Sequence, residues 1–104
     1  MDYEIGIFLC SAISEEGNSF GYPKGERHPA VFLVRQEKGF YDDFDHAERI
    51  ADTVEGWRDF EFTKVALGDL DKIKSDNNLD MAEAYESAME NGSCIIIYSE
   101  VIAE

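Results

Sequence analysis

Two histidines and two cysteines are the side chains of this 104-residue chain best suited to nucleophilic or proton-transfer chemistry. His28 follows a glycine-rich segment and His46 lies near the start of a predicted helix, whereas Cys10 and Cys94 stand inside apolar runs. A nucleophile needs a base within hydrogen-bonding reach, and neither cysteine has a histidine near it in the sequence. We therefore expect two buried free thiols, no catalytic residue and a protein that is not an enzyme.

Two polar segments have the composition of ligand-binding loops but lack the spacing that such loops need. In GNSFGYPKGER, Lys24 is followed by a glycine and a strand, whereas a phosphate-binding loop needs Ser or Thr at the start of a helix. In GDLDKIKSDNNLD, an EF-hand that begins at Asp69 would place Ile73 at a ligand position. We therefore expect neither a metal ion nor a cofactor.

Acidity is the property in which the chain departs most from an ordinary small protein. It contains 23 Asp and Glu against nine Lys and Arg, with a formal net charge of −14, and residues 40–61 alone contain eight carboxylates and two arginines. Nine basic residues cannot supply the counterion release that drives phosphate binding, so we expect no direct contact with nucleic acid. Folding gains nothing from the repulsion, which indicates that the acids serve a partner.

The acids of the two predicted helices have the spacing of helix faces. In the first helix they recur at i, i+3, i+7 and i+10 and form a stripe ~15 Å long, and in the second they lie opposite the apolar side. If both helices cover the same face of the sheet, these acids form one anionic surface with two ridges. The candidate partner-binding residues are Asp45, Glu48, Asp52, Glu55, Glu83, Glu86 and Glu90.

The glycine-rich loop at residues 17–29 is the one loop with both basic and aromatic character. Its three glycines and two prolines interrupt regular structure, and loops of this kind often carry binding sites. A mobile connection between strands explains the same composition equally well. The secondary candidate residues are Phe20, Tyr22, Lys24, Arg27 and His28.

Hydrophobic periodicity predicts four strands and two amphipathic helices that position these residues. The strands are predicted at residues 3–13, 30–36, 60–67 and 93–102. The first helix runs from a cap at Asp42 or Asp43 to a stop at Gly56, the second runs from Asp80 to Asn91, and residues 68–78 form a turn or a short helical stretch. The order β-β-α-β-α-β predicts an α+β or α/β two-layer sandwich, with residues 1–104 as one domain.

The spacing of apolar residues predicts the core, and the start of the chain together with the length of its apolar runs predicts the location of the protein. The start of the chain has acidic flanks where a secretory signal needs basic ones, and no apolar run approaches the ~18 residues that span a membrane. We therefore expect a cytoplasmic protein that does not contact a membrane. The predicted core consists of Ile5, Ile7, Leu9, Phe32, Val34, Ile50, Val54, Tyr85, Ile95 and Ile97.

The leading functional hypothesis is a non-enzymatic inhibitor or decoy that binds a basic, nucleic-acid-handling protein through electrostatic complementarity. Nuclease-toxin immunity proteins, antitoxins, and phage proteins that resist restriction or CRISPR defence belong to this functional type. One alternative is a small ligand-binding or enzymatic domain with its site at residues 17–29, and another is a subunit that oligomerises through a strand edge. An acidic, salt-adapted host would also explain the composition without any partner.

Overall fold

The computed structural model describes residues 2–103, which form a four-stranded antiparallel sheet with three helices. The strands are β1 (Tyr3–Ser14), β2 (Arg27–Glu37), β3 (Trp57–Leu67) and β4 (Ser93–Ile97), and the helices are α1 (Phe44–Ala51), α2 (Leu70–Ser75) and α3 (Leu79–Asn91). The sheet order is β3-β1-β2-β4. The predicted α+β class and the four strands are confirmed, and α2 occupies the segment predicted as a turn or short helical stretch.

Each face of the sheet is covered by a helix, because β1 and β2 are apolar on both faces. On one face Phe8 of β1 belongs to the same buried cluster as Ala47 of α1. On the other face Ile5 of β1 belongs to the same buried cluster as Ala84 of α3. Successive strand residues point to opposite faces, so α1 and α3 lie on opposite sides of the sheet. The condition for a single anionic surface with two ridges is therefore not met.

Nine of the ten predicted core side chains are buried or half-buried, and Leu9 is the exception. Leu9 is 44% exposed and pairs with Lys64 of β3, so its placement in the core was wrong. The reason is that α3 packs mainly over β4 and β2, and on β1 its cluster includes Ile5 and Ile7 but not Leu9. The half-buried members are Ile7, Ile50, Val54, Tyr85 and Ile95.

Strand β2 begins at Arg27, three residues earlier than the sequence predicts, because Ile13 of the long strand β1 pairs with Arg27. Pro29 is tolerated inside β2 because its position lies just beyond the end of β4. There its carbonyl oxygen accepts a hydrogen bond from the Tyr98 N–H at 3.0 Å, and no donor is required from the proline. The chain also leaves the sheet after Ile97, so the predicted strand at residues 93–102 is shortened to five residues.

Gly6 of β1 lies directly beneath the connection between β2 and α1. A Cβ atom on Gly6 would stand 2.1 Å from the carbonyl oxygen of Tyr41 and 2.9 Å from the ring of Phe8. The Tyr41 N–H donates a hydrogen bond to Glu4 Oε2 at 3.0 Å. The missing side chain at Gly6 therefore allows this connection to pack against the sheet, which helps to fix the position of α1.

Candidate functional site

Helix α1, which carries the first group of acids, begins at a capped turn that is bound to β2. Asp43 is the N-cap, and its Oδ1 accepts a hydrogen bond from the His46 N–H at 3.1 Å. Gln36 of β2 is 2% exposed, its Nε2 donates to the Asp43 carbonyl at 3.1 Å, and its Oε1 accepts from His46 Nδ1. These bonds hold the start of α1 against the sheet, and they occupy one of the two ring nitrogens of His46 in a structural role.

Helix α1 ends at Ala51, about one turn earlier than the spacing of the acids predicts. The N–H and the Oγ1 of Thr53 both bond to the Ile50 carbonyl, at 3.0 and 2.6 Å, which tightens the last turn. Asp52 is therefore the C-cap and Glu55 lies in the following turn. All four acids of the predicted stripe are exposed. Asp45 and Glu48 thus lie on α1, whereas Asp52 and Glu55 follow it. These four exposed acids are together called the α1 ridge.

A groove of approximately 330 Å³ lies between α1 and β3, and carboxylates line it. Glu48 and Asp52 of the ridge stand on one side, Asp59 of β3 stands on the other, and Phe60 and Phe62 line the groove between them. Carboxylates next to aromatic rings suit the side chain of a lysine or arginine, which gains both charge pairing and a cation–π contact. We call this feature the α1–β3 groove. The sequence singled out only its α1 side.

Asp59 has a left-handed backbone conformation, with φ of 51°, at an irregular position of β3. Its carbonyl oxygen accepts a hydrogen bond from Arg27 Nη1 at 3.0 Å, and this bond holds the irregular backbone in place. Its carboxylate pairs with the exposed Arg58 of the same strand. An exposed pair of this kind contributes only ~0–1 kcal/mol, so a basic side chain of a partner can replace Arg58 at low cost.

The second group of predicted acids lies on α3, on the opposite face of the sheet. Glu83, Glu86 and Glu90 are exposed, whereas the alanines of α3 are buried. Glu86 also has a compensating cation, since Lys74 Nζ lies 3.9 Å from its Oε1. The structure therefore brings together the acids within each helix but does not bring the two helices' acids together.

Four aromatic rings form a stack where the 17–29 loop meets the start of β3. The ring of Tyr22 lies between Phe20 and His28, with centroid separations of 5.8 and 4.4 Å. Trp57, which is 4% exposed, meets His28 edge-on at 5.6 Å. Lys24 is exposed at the far side of the loop. Tyr22 is therefore half-buried in this stack, whereas Phe20 remains 43% exposed at its outer side.

The polar side chains of the same loop region already bind groups of the protein. His28 is 1% exposed, its Nδ1 donates to the Tyr98 carbonyl at 2.9 Å, and its Nε2 lies 3.3 Å from Glu26 Oε1. Arg27 is 9% exposed and donates to Ser11 Oγ at 2.9 Å. These bonds satisfy buried polar groups, as a folded interior requires. They account for both side chains without a ligand.

A cleft of approximately 530 Å³ at the opposite end of the sheet was not identified from the sequence. Arg35 crosses it, donating from Nη1 to the Met89 carbonyl at 3.0 Å, with its guanidinium 4.8 Å from the centre of the Tyr3 ring. Bases and acids both line the cleft, so it lacks the single charge sign of the α1–β3 groove. The remaining lining residues are Gln36, Glu37, Phe40, Asp43, His46 and Arg49.

The two cysteines lie on opposite faces of the sheet as free thiols. Burial raises the pKa of Cys10 to about 12, which keeps this thiol protonated and unreactive at neutral pH. Within residues 2–103, no group of three or more His, Cys, Asp or Glu side chains is arranged to hold a metal ion. Among the helices described there, none combines the length and apolar character that crossing a bilayer requires.

Comparisons of the chain with models of known protein families, with curated protein sequences and with solved structures returned no match. The α1 ridge and the α1–β3 groove are therefore the features from which we infer a function.

Proposed function

We propose that this protein is a non-enzymatic inhibitor or decoy that binds the basic, nucleic-acid-handling surface of another protein. The observation that carries the proposal is the α1–β3 groove, where exposed Glu48 and Asp52 face Asp59 across two aromatic side chains. A partner evolved to bind phosphates presents lysines and arginines, and this groove offers them carboxylates and rings. Nuclease-toxin immunity, antitoxin action, and resistance of phage to restriction or CRISPR defence are the settings of this proposal.

Because the two helices lie on opposite faces of the sheet, the proposal places the contact on one side of the molecule, and the α1–β3 groove favours the α1 side. The smallest dimension of the molecule is 22 Å. The Debye length at 0.1 M salt is ~10 Å, so charges on the opposite face are largely screened from a partner docked on α1. The acids of α3 then contribute mainly to the overall attraction at low salt. In this proposal the direct contact belongs to the α1 ridge and the groove.

The arrangement of charge within the ridge favours this proposal over an ordinary solvated helix. A solvated surface helix gains stability from Glu and Lys at i and i+4, and Asp45 with Arg49 is the one pair of that kind on α1. Duplex DNA presents one phosphate per ~3.4 Å of axis on each strand, whereas acids at helical spacing recur about every 5 Å. Asp45, Glu48 and the C-cap Asp52 therefore resemble one strand of a duplex in charge density to within a factor of about two.

A ligand-binding or enzymatic domain with its site at residues 17–29 is the second proposal. It ranks lower because His28 and Arg27 are buried and bonded within the protein, which leaves Lys24 as the exposed basic side chain of that region.

Partner capture with matched baits tests the proposed function. The wild type, the double variant Glu48→Lys/Asp52→Lys, and the control Asp71→Lys/Asp76→Lys on and after α2 are immobilised and exposed to a lysate of the organism that encodes the protein. Both variants change the net charge equally, and all four positions are exposed. We expect the wild type and the control to retain a nucleic-acid-binding protein that the ridge variant does not retain.

High salt provides the second arm of this experiment. The captured protein should be released at ~1 M salt, where the Debye length falls to ~3 Å. Retention of the same proteins by all three baits at low salt would mean that the ridge is only solvated surface.

A further inference from the structure

Strand β4 forms one edge of the sheet, and within residues 2–103 no strand pairs with its outer side. The Arg35 N–H donates to the Gly92 carbonyl at 2.9 Å and the Tyr98 N–H donates to the Pro29 carbonyl at 3.0 Å. Antiparallel pairing alternates between inward and outward groups, so the even-numbered residues of β4 bond to β2. The N–H and C=O groups of Ser93, Ile95 and Ile97 therefore point away from the sheet.

A groove of approximately 420 Å³ follows this edge between α3 and the 17–29 loop. Its floor is apolar and comes from Cys94, Ile95, Ile96 and Ile97, with Phe20 at one side. Its α3 side carries Asp80 and Glu83, which are exposed, together with Ser87. No lysine or arginine lines the groove among the described residues. An extended peptide bound here would meet an open strand, an apolar floor and a negative rim.

The other edge of the sheet is protected in the ways that natural sheets use against strand addition. β3 is interrupted by register shifts, contains Asp59 in a left-handed conformation, and carries charged side chains such as Lys64 along its length. β4 has the sequence SCIII, which contains no charge, and all five residues belong to a regular register with β2. Of the two edges, β4 is thus the one suited to accept a strand.

We propose that β4 binds an extended segment of a partner protein as a fifth strand of the sheet, and that this segment alternates basic and β-branched apolar residues. Backbone bonds to Ser93, Ile95 and Ile97 would supply affinity, and alternate side chains would reach the apolar floor. The basic side chains would meet Asp80 and Glu83 on the rim. This proposal does not rest on the proposed function, because β4 and the α1–β3 groove lie at opposite edges of the sheet.

Charge decides between such a segment and a second copy of this chain. Pairing of β4 with β4 of another copy would bring two chains of net charge −14 together and would place the Asp80 and Glu83 rims near their own copies. Like charges in apposition oppose association by several kcal/mol. A lysine-bearing or arginine-bearing strand gains from the same rim, and it is therefore the occupant that we assign.

Titration with a defined peptide tests the assignment. A fluorescein-labelled peptide of alternating lysine and valine is added to the 15N-labelled full chain, and a glutamate–valine peptide serves as the charge control. We expect the lysine peptide to bind about tenfold or more tightly than the glutamate peptide, a ratio equal to ~1.4 kcal/mol. The amide signals of Ser93, Ile95 and Ile97 should shift, and N-methylation of alternate peptide amides should abolish binding in one register but not in the other.

Charge reversal on α3 distinguishes a local effect of Asp80 and Glu83 on peptide binding from the general attraction of a basic peptide to an acidic protein. Asp80→Lys/Glu83→Lys should weaken the lysine peptide about tenfold and improve the glutamate peptide, whereas the equally charged control Glu86→Lys/Glu90→Lys should change both far less. Three results would overturn the assignment: no binding at ~1 mM peptide, shifts that map away from β4, or equal weakening by the two reversals. Concentration-dependent protection of the β4 amides in the free protein would overturn it in favour of a second copy.

Discussion

Glu48→Lys/Asp52→Lys should slow association with the captured basic partner by about 10-fold to 100-fold at low ionic strength. Electrostatic steering raises association rates by ~10- to 1000-fold, and this variant reverses two charges at the proposed contact. Stopped-flow mixing of labelled protein and partner measures the rate. The difference between the two association rates should shrink as salt rises. Salt screens the electrostatic attraction of the wild type, whereas the variant has little such attraction to lose.

The double variant should keep its fold. Glu48 and Asp52 are exposed and their removal relieves repulsion between neighbouring acids, so the Tm should hold or rise. Asp71→Lys/Asp76→Lys is the control of equal charge, and it should slow association by a much smaller factor. Equal rates for the wild type and the ridge variant at low salt would contradict a contact at the α1 ridge.

Gly6→Ala should destabilise the protein by about 3 kcal/mol or more, the largest effect that we expect from any single methyl group. The added Cβ would lie 2.1 Å from the Tyr41 carbonyl oxygen, which is backbone and cannot rotate away. The β2–α1 connection must therefore move, and the bond from the Tyr41 N–H to Glu4 is strained with it. Urea unfolding followed by circular dichroism measures the change.

Gly39→Ala in the same connection is the matched control for Gly6→Ala. Its backbone has φ of 94° and nothing lies within 4 Å of the position of an added Cβ, so only the conformational strain of about 1 kcal/mol is expected. Equal stability of the two variants would contradict the close packing of the β2–α1 connection against Gly6.

The secondary structure was largely predictable because its signals are local. The spacing of Ala47 and Ala51 marked the buried side of α1, and the β-branched run at residues 93–97 marked β4. The apolar character of β1 on both faces also indicated that both faces are covered. Whether the two predicted helices share a face of the sheet was left open by the sequence, and the structure places α1 and α3 on opposite faces.

The α1–β3 groove was not predictable in full because it depends on how distant segments pair. Glu48 and Asp52 were found from helical spacing, whereas Asp59, Phe60 and Phe62 reach the groove only through the irregular pairing of β3 with β1. The 17–29 loop shows the converse. Its composition fitted an exposed binding loop and a mobile connection equally well, whereas His28 belongs to β2 and is buried by aromatic packing that composition does not reveal.

Competition with nucleic acid tests whether the protein occupies the nucleic-acid-binding surface of its partner. The captured partner is first bound to a fluorescent nucleic acid that it recognises, and increasing amounts of the protein are then added while anisotropy is recorded. We expect the wild type to release the nucleic acid and Glu48→Lys/Asp52→Lys to require at least tenfold more protein for the same release, which equals ~1.4 kcal/mol. A ternary complex in which the partner retains the nucleic acid at unchanged affinity would contradict competition for that surface.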